Sequence, residues 1–285
     1  MPLLKIILGP TAVGKTDFSI NLAGQYGCPV VSCDSRQIFR GMPIGTAQPS
    51  PEQLAEVRHY FIACKSPDEY YTAGLYEIEA LELLEELFKT HDTLIMTGGS
   101  GLYVDALCNG LDDFPPADQE LRSRLMERLE SEGIASLRQD LKLLDPESYG
   151  TIDIANTQRV IRALEVTIST GRKFSSYKTG PVKKRPFDIE KICLTRPREE
   201  LYERINRRVD IMLEQGLVDE VRSLEAYRDK PALRTVGYKE IFDYLDGKTD
   251  LEEAVRLIKR NTRHYAKRQM TYWGRDKSIS YLTLT

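Results

Sequence analysis

The chain is poor in the residues that build covalent or metal-held frameworks. Its five cysteines, Cys28, Cys33, Cys64, Cys108 and Cys193, are odd in number, scattered and never spaced Cys-x-x-Cys, which argues against a disulfide scaffold and a zinc ribbon. Its three histidines, His59, His91 and His264, lie far apart, so any metal is expected on oxygen ligands. No apolar run approaches the ~20 residues of a spanning helix. The longest early run, residues 3–8, is broken by Lys5 and ends at Gly9-Pro10, without the apolar core and cleavage site of a secretory signal. A cytoplasmic chain with no membrane contact is expected. Hydrophobic residues at 41% and charged residues at 29% are ordinary for a globular protein, and 285 residues allow about two domains, or one large domain with an insertion.

A net charge of −3 by itself points to no polyanionic partner, but its distribution does. Residues 1–110 are acidic on balance and residues 111–285 basic. The excess is concentrated in 172–191, with seven basic and two acidic residues, and in 256–277, with eight and one. Such blocks can be footprints for a phosphate backbone.

The first third alternates short apolar runs with helical patterns, the signature of a parallel sheet flanked by helices. Strands are expected at 3–8, 29–33 and 93–97. Helices are expected at 15–26, with Phe18, Leu22 and Tyr26 at four-residue spacing, and at 75–90. Between Phe114-Pro115-Pro116 and Gly180-Pro181 the text changes to charged helices (118–132, 134–144 and 156–170) with no clear strand. Strand-like text returns at 188–195. A helix follows with Leu201, Ile205, Val209 and Met212 on one stripe, then a long helix from 250 to about 273 and a short strand at 279–282. The fold expected is thus an α/β catalytic core, residues 1–113 plus 187–285, interrupted by an all-helical insertion at 114–186. Ligands of open α/β sheets bind outside the carboxyl ends of the strands, so the segments after Leu8, Cys33 and Thr97 should converge on one crevice.

The first of these, Gly9-Pro10-Thr11-Ala12-Val13-Gly14-Lys15-Thr16, matches G-x-x-x-x-G-K-[ST] between an expected strand and an expected helix. Backbone amides, the helix dipole and Lys15 can cradle two linked phosphates, and the Thr16 hydroxyl can ligate Mg²⁺. The loop alone leaves the ligand open, a nucleoside triphosphate kinase or ATPase being the default. The third strand, however, ends in Thr97-Gly-Gly-Ser100 with no carboxylate, and the second ends in Cys33-Asp34-Ser35, one carboxylate beside a hydroxyl.

In order and combination, GPTAVGKT, DSRQIFRGMPIGTA (34–47), TGGSGLYVDAL (97–107), QRVIRALEV (158–166), LYERINRRVDIM (201–212), VGYKE (236–240) and TRHYAKRQMTYW (262–273) resemble the tRNA dimethylallyltransferases, or isopentenyltransferases. The likeness spans nearly the whole chain and is to the bacterial type, which lacks the zinc finger of some eukaryotic members. It implies transfer of a dimethylallyl group from dimethylallyl diphosphate, with Mg²⁺, to the exocyclic amine of the adenosine 3′ of the anticodon. It further implies a tRNA partner gripped at its anticodon stem-loop, and a monomer is expected.

On this likeness the phosphate loop holds a leaving group. Arg204, and Arg208 one turn later, are expected to reach the diphosphate. The amine of adenine is a weak nucleophile, so a carboxylate must take its proton as the new bond forms, and Asp34 matches the family's general base. Asp34 could instead cap a turn after its strand. Ser100 stands where most relatives have Thr; its hydroxyl would bond the bridging oxygen or orient the amine, and could also cap the helix after it. Positions matching tRNA contacts are Asp34, Ser35, Arg36 and Gln37, then Ser100, then Arg122, then Gln158, Arg159, Val160, Ile161 and Arg162. Arg234 and Lys239, and Arg263, Lys267, Arg268 and Gln269, complete the set. Arg256, Arg260, Arg263 and Lys267 form one basic stripe, read as phosphate-binding over a merely solvated face, whereas Trp273 is read as core packing. The chain departs from the family pattern at Arg58-His59-Tyr60 and at 154–157.

Overall fold

A computed structural model describes residues 1–180 and 182–284; Pro181, at the expected end of the insertion, and Thr285, the last residue of the expected core, lie outside the described residues. The chain divides into two compact units, Met1–Cys108 with Lys184–Thr285, and Asn109–Lys183. The first change-over falls a few residues before Phe114-Pro115-Pro116 and the second just after Gly180-Pro181.

The larger unit is built on strands β1 (Leu3–Leu8), β2 (Val30–Ser32), β3 (His59–Tyr60), β4 (Thr93–Thr97), β5 (Asp188–Thr195) and β6 (Ser280–Thr283), ordered β3-β2-β4-β1-β5-β6 and parallel throughout. Its helices are α1 (Lys15–Tyr26), α2 (Pro51–Glu56), α3 (Ala73–Leu87) and α4 (Gly101–Asn109). The smaller unit holds α5 (Gln119–Glu132), α6 (Ile134–Leu144), α7 (Pro146–Thr151) and α8 (Thr157–Thr170), with no strand among its described residues. The larger unit resumes with α9 (Arg198–Glu214), α10 (Leu217–Ser223), α11 (Tyr238–Leu245) and α12 (Leu251–Trp273).

The central strands are buried on both faces, so they read as unbroken apolar runs: Leu4, Ile6, Ile7 and Leu8, Leu94 to Met96, and Cys193 with Leu194 are inaccessible to solvent. Lys5 is tolerated within β1 because the parallel register sets it opposite Glu190 of β5, with which it pairs. The two-residue β3 is too short for any periodicity to announce it. On α1 the buried residues are Ser19, Ile20 and Ala23, whereas the expected stripe of Phe18, Leu22 and Tyr26 lies to one side of that face. Small side chains let the helix settle closely against β4. Asp118, Asn156 and Asp250 prove to be N-caps, each accepting the N–H three residues on, so their helices begin one residue after the sequence expectation.

The sheet brings three loops together at its carboxyl edge. Gly98 is wedged there: Cys33 N–H donates to Thr97 O at 2.7 Å, Gly98 N–H to Ile7 O at 3.2 Å, and a Cβ on Gly98 would sit 2.6 Å from the Cys33 backbone. Gly98→Ala is therefore expected to cost about 1–3 kcal/mol through overpacking. Gly24→Ala, in the last turn of α1 with open space around it, should gain about 0.5–1 kcal/mol. Urea unfolding of both variants checks this, and a neutral Gly98→Ala would show that the loops do not need to meet so closely.

Candidate active site

The loop after β1 is held in an unusual backbone shape. Gly9 and Gly14 have φ of +139° and +109°, and Ala12, which carries a side chain, has φ of +66°. Cations hold this shape. Lys15 Nζ donates to Gly9 O (3.0 Å) and Pro10 O (2.8 Å), Arg204 Nε to Ala12 O (2.9 Å) and Arg196 Nε to Val13 O (2.9 Å). Arg208 reaches the Thr11 hydroxyl at 3.5 Å. Gly14 caps α1 with no side-chain bond, which leaves the first amides of that helix available to an anion.

The charge here is unbalanced. Lys15, Arg204 and Arg208 gather on one loop and are bonded to carbonyl and hydroxyl oxygens. Desolvation draws the Lys15 ammonium down to about 8; the charge of Asp34 opposes this and that of Arg208 adds to it. Burial, and then the neighbouring Arg204, lower Arg208 as well. A site whose cations weaken one another is one that an anion stabilises.

Across the cavity, Asp34 caps the turn after its strand and lines the site. Its Oδ1 accepts the N–H of Arg36 (2.8 Å) and of Gln37 (3.3 Å), forming a turn, and Oδ2 bonds no described residue. Ser100 Oγ accepts Ser35 N–H at 2.8 Å and donates to Ser35 Oγ at 3.0 Å, so the two hydroxyls form one unit. Gln37 Nε2 donates to Thr46 O (3.2 Å) and Ala47 O (2.7 Å), and no described residue bonds its Oε1. Glu220 backs this wall, accepting the amides of Ile44 (2.7 Å) and Gly45 (2.8 Å) and the hydroxyl of Tyr238 (2.6 Å).

These groups line one cavity of about 1310 Å³. It brings together Thr11, Ala12, Gly14, Lys15, Thr16, Asp34 to Gln37, Arg204, Arg208, Arg234, Lys239, Arg268 and Gln269. Gly9, Pro10, Val13, Ser100, Arg263 and Lys267 do not line it; Ser100 acts on it through Ser35. Three expected RNA contacts change meaning. Gln269 is buried, accepting Thr11 N–H (2.9 Å) and donating to Gly99 O (3.1 Å), so it is a strut between α12 and the loops after β1 and β4. Val160 and Ile161 are inaccessible, packed with Leu121, Leu125, Leu137 and Leu141 in the core of the helical unit, which leaves their side chains no surface for RNA.

In that helical unit Glu165, buried, gathers Arg122 (3.0 Å), Arg162 (2.6 Å) and the Asp118 amide (3.0 Å), while Arg122 also holds Gln158 (2.6 Å). Arg159 remains exposed. On α12, Arg256 is tied to Glu253 by two bonds of 2.6 Å and Arg263 to Asn206 (2.7 Å), while Lys267 is exposed with no described partner. Trp273 is buried, as expected of a packing residue. Sequence reasoning passed over Arg196, although it follows the carboxyl end of β5, and Tyr265, which lines the cavity one turn before Gln269.

A phosphate loop ringed by cations, facing a carboxylate with one oxygen unbonded, defines a P-loop α/β protein with a site suited to an anion. Comparison makes the class particular. The IPP transferase family model matches residues 37–276. The tRNA dimethylallyltransferase 1 of Bacteroides thetaiotaomicron is 49% identical over 281 residues, covering 99% of this chain and 91% of that protein. Its counterpart in Porphyromonas gingivalis is 51% identical over 278 residues, covering 98% and 93%. Among solved structures, the tRNA isopentenylpyrophosphate transferase of Bacillus halodurans superposes with a TM-score of 0.73 at 37% identity, over 99% of this chain and 90% of that one. A eukaryotic dimethylallyltransferase acting on tRNA gives 0.83 at 26% identity, over 99% and 74%. The chain belongs to the IPP transferase family.

The Lys15 environment gives a direct check. In the free protein its Nζ should titrate near pH 8, charged below and neutral above, and should move up when inorganic diphosphate binds, because the anion favours the ammonium. Nitrogen NMR of labelled lysine, with Lys15→Met for assignment, reads this. A Lys15 titrating with the surface lysines would contradict the desolvated cluster.

Proposed function

We propose that this chain transfers a dimethylallyl group from dimethylallyl diphosphate to the exocyclic amine of the adenosine 3′ of a tRNA anticodon, releasing diphosphate. The observation that carries the reading is the pairing, in one cavity, of the Lys15–Arg204–Arg208 cluster with the open oxygen of Asp34. As the allylic carbon–oxygen bond breaks, charge builds on the departing diphosphate, and fixed cations and amides favour that state over the bound substrate. The amine attacks the allylic carbon, the bond to the diphosphate breaks with its electron pair, and Asp34 Oδ2 takes the amine proton. The Ser35–Ser100 hydroxyls orient the amine or the bridging oxygen.

Mg²⁺ fits this site with few protein ligands. Thr16 lines the cavity, no described residue bonds its hydroxyl, and no group of three or more His, Cys, Asp or Glu among the described residues is arranged for a metal. The ion would take Thr16 Oγ1 and otherwise substrate oxygens and water, and would neutralise diphosphate charge. The target base must be extruded to enter a cavity of this kind. Ser35, Arg36, Gln37, Arg234, Lys239 and Arg268 supply polar groups at the cavity, and Arg263 and Lys267 supply charge on α12. The helical unit, with Arg122, Gln158, Arg159 and Arg162, is assigned as an insertion domain that grips the anticodon stem-loop. No described helix is long and apolar enough to cross a membrane. The reading places the chain, as a monomer, in the cytoplasm with the tRNA pool.

Asp34→Asn should keep the turn, because an amide oxygen can still accept from Arg36 and Gln37, yet lose roughly 10²- to 10⁴-fold in prenyl transfer with little change in tRNA affinity. Mass analysis of unmodified tRNA incubated with dimethylallyl diphosphate and Mg²⁺ reads the product; near-full turnover removes Asp34 from the base role. ATP turnover without prenyl transfer by the unaltered protein would make it a kinase or ATPase instead. For RNA binding, Lys267→Ala should reduce the salt slope of tRNA affinity by about one unit, while Arg256→Ala, already paired with Glu253, should leave it unchanged. An unchanged slope for Lys267→Ala would return the stripe to a solvated face.

A further inference from the structure

Tyr265 lines the cavity and has no task in the chemistry above. It precedes Gln269 by one turn of α12, and residues four apart share a helix face, their Cβ atoms about 5–6 Å apart. Because Gln269 is bonded to both Gly99 and Thr11, that face is pressed against the carboxyl ends of β4 and β1, where Ser100 meets Ser35 beside Asp34. No described residue hydrogen-bonds the Tyr265 hydroxyl, nor is it among the buried polar atoms sealed without a partner. A phenol so placed, with Arg268 set 5.7 Å from its ring centre, is a donor awaiting an acceptor. Burial and the charge of Asp34 push it above the ordinary tyrosine range, against Arg36 and Arg268, so it keeps its proton throughout the working range.

The cavity therefore presents two complementary atoms, the acceptor Oδ2 of Asp34 and the donor hydroxyl of Tyr265. The edge of adenine is their counterpart, since its exocyclic amine donates and the adjacent ring nitrogen, N1, accepts. Guanine and uracil reverse both, placing a carbonyl where the amine would be and an N–H where the bare nitrogen would be. We propose that Tyr265 is a specificity-determining residue, its hydroxyl donating to N1 of the extruded adenine while Asp34 receives the proton of the neighbouring amine. This assignment rests on the prenyl-transfer reading above. It holds the base in the plane that points the amine at the allylic carbon, and it rejects guanine and uracil by leaving facing donors and facing acceptors unpaired. Cytosine shares the polarity of adenine, so this pair of atoms selects against guanine and uracil only.

The test compares anticodon stem-loops carrying adenosine or 1-deazaadenosine at the target position, which differ in the N1 acceptor. Single-turnover prenyl transfer is measured with the unaltered protein and with Tyr265→Phe. Tyr265→Phe should slow transfer to adenosine roughly 5- to 50-fold, the span of a hydrogen bond lost at a buried group, and should cost little on 1-deazaadenosine. The intrinsic reactivity of the two amines cancels in that ratio, and a residue that merely packs would not distinguish them. Equal losses on both loops, or no loss on either, overturn the proposal. With the unaltered protein alone, the 1-deaza loop must bind more weakly; equal affinity overturns it whatever the variant does. Inorganic diphosphate should bind Tyr265→Phe and the parent alike. Should the unaltered protein leave the adenosine loop unmodified, the prenyl-transfer reading fails first, and this assignment with it.

Discussion

The site is organised by positive charge that the protein does not itself neutralise. Lys15, Arg204 and Arg208 converge on one loop, and their partners there are the carbonyls of Gly9, Pro10 and Ala12 and the hydroxyl of Thr11. Removing cations from water without carboxylate partners is costly, and the lowering of Lys15 and Arg208 is the visible sign of that cost. A fold keeps such an arrangement where an anion completes it. An anion whose charge grows during the reaction completes it best, because fixed dipoles and cations need no reorganisation when the bond breaks.

The second requirement is that the acceptor be held as rigidly as the donor. Gly98 lets the ends of β2 and β4 approach, so Ser100 meets Ser35 and Asp34 is caught in a turn by one oxygen only. Gln269 carries the registry across to α12, and Glu220 holds the amides of Ile44 and Gly45 over Tyr238. Asp34 and Gln37 are each satisfied on one side by backbone, which leaves one atom of each without a protein partner, and the Tyr265 hydroxyl has none. Asp34 keeps Oδ2, Gln37 keeps Oε1 and Tyr265 keeps its hydroxyl.

Much of this was legible in the sequence because it is local. The strand–loop–helix run through Lys15 carries its own signature, and buried parallel strands read as apolar runs whose ends mark the crevice. Arg204 and Arg208, one turn apart, could be placed on one face and do reach one loop. What stayed hidden depends on tertiary contact. Nothing local distinguishes Gln269 as a strut from Gln269 as an exposed reader, since its partners lie at Thr11 and Gly99. Val160 and Ile161 sit inside a polar motif, and only the helical core shows that they face inward. On α1 the larger apolar residues drew the eye, whereas close packing selected Ser19 and Ala23. The β3 strand, two residues long, has no period to read.

The most direct measurement is a structure of the protein with dimethylallyl thiolodiphosphate, which resists cleavage, and an unmodified anticodon stem-loop. The account predicts the diphosphate on the amides of residues 11–16, within hydrogen-bond distance of Lys15, Arg204 and Arg208, and an extruded adenine with its amine against Asp34 Oδ2. A diphosphate bound away from that loop, or an adenine amine beyond the reach of Asp34, would contradict it.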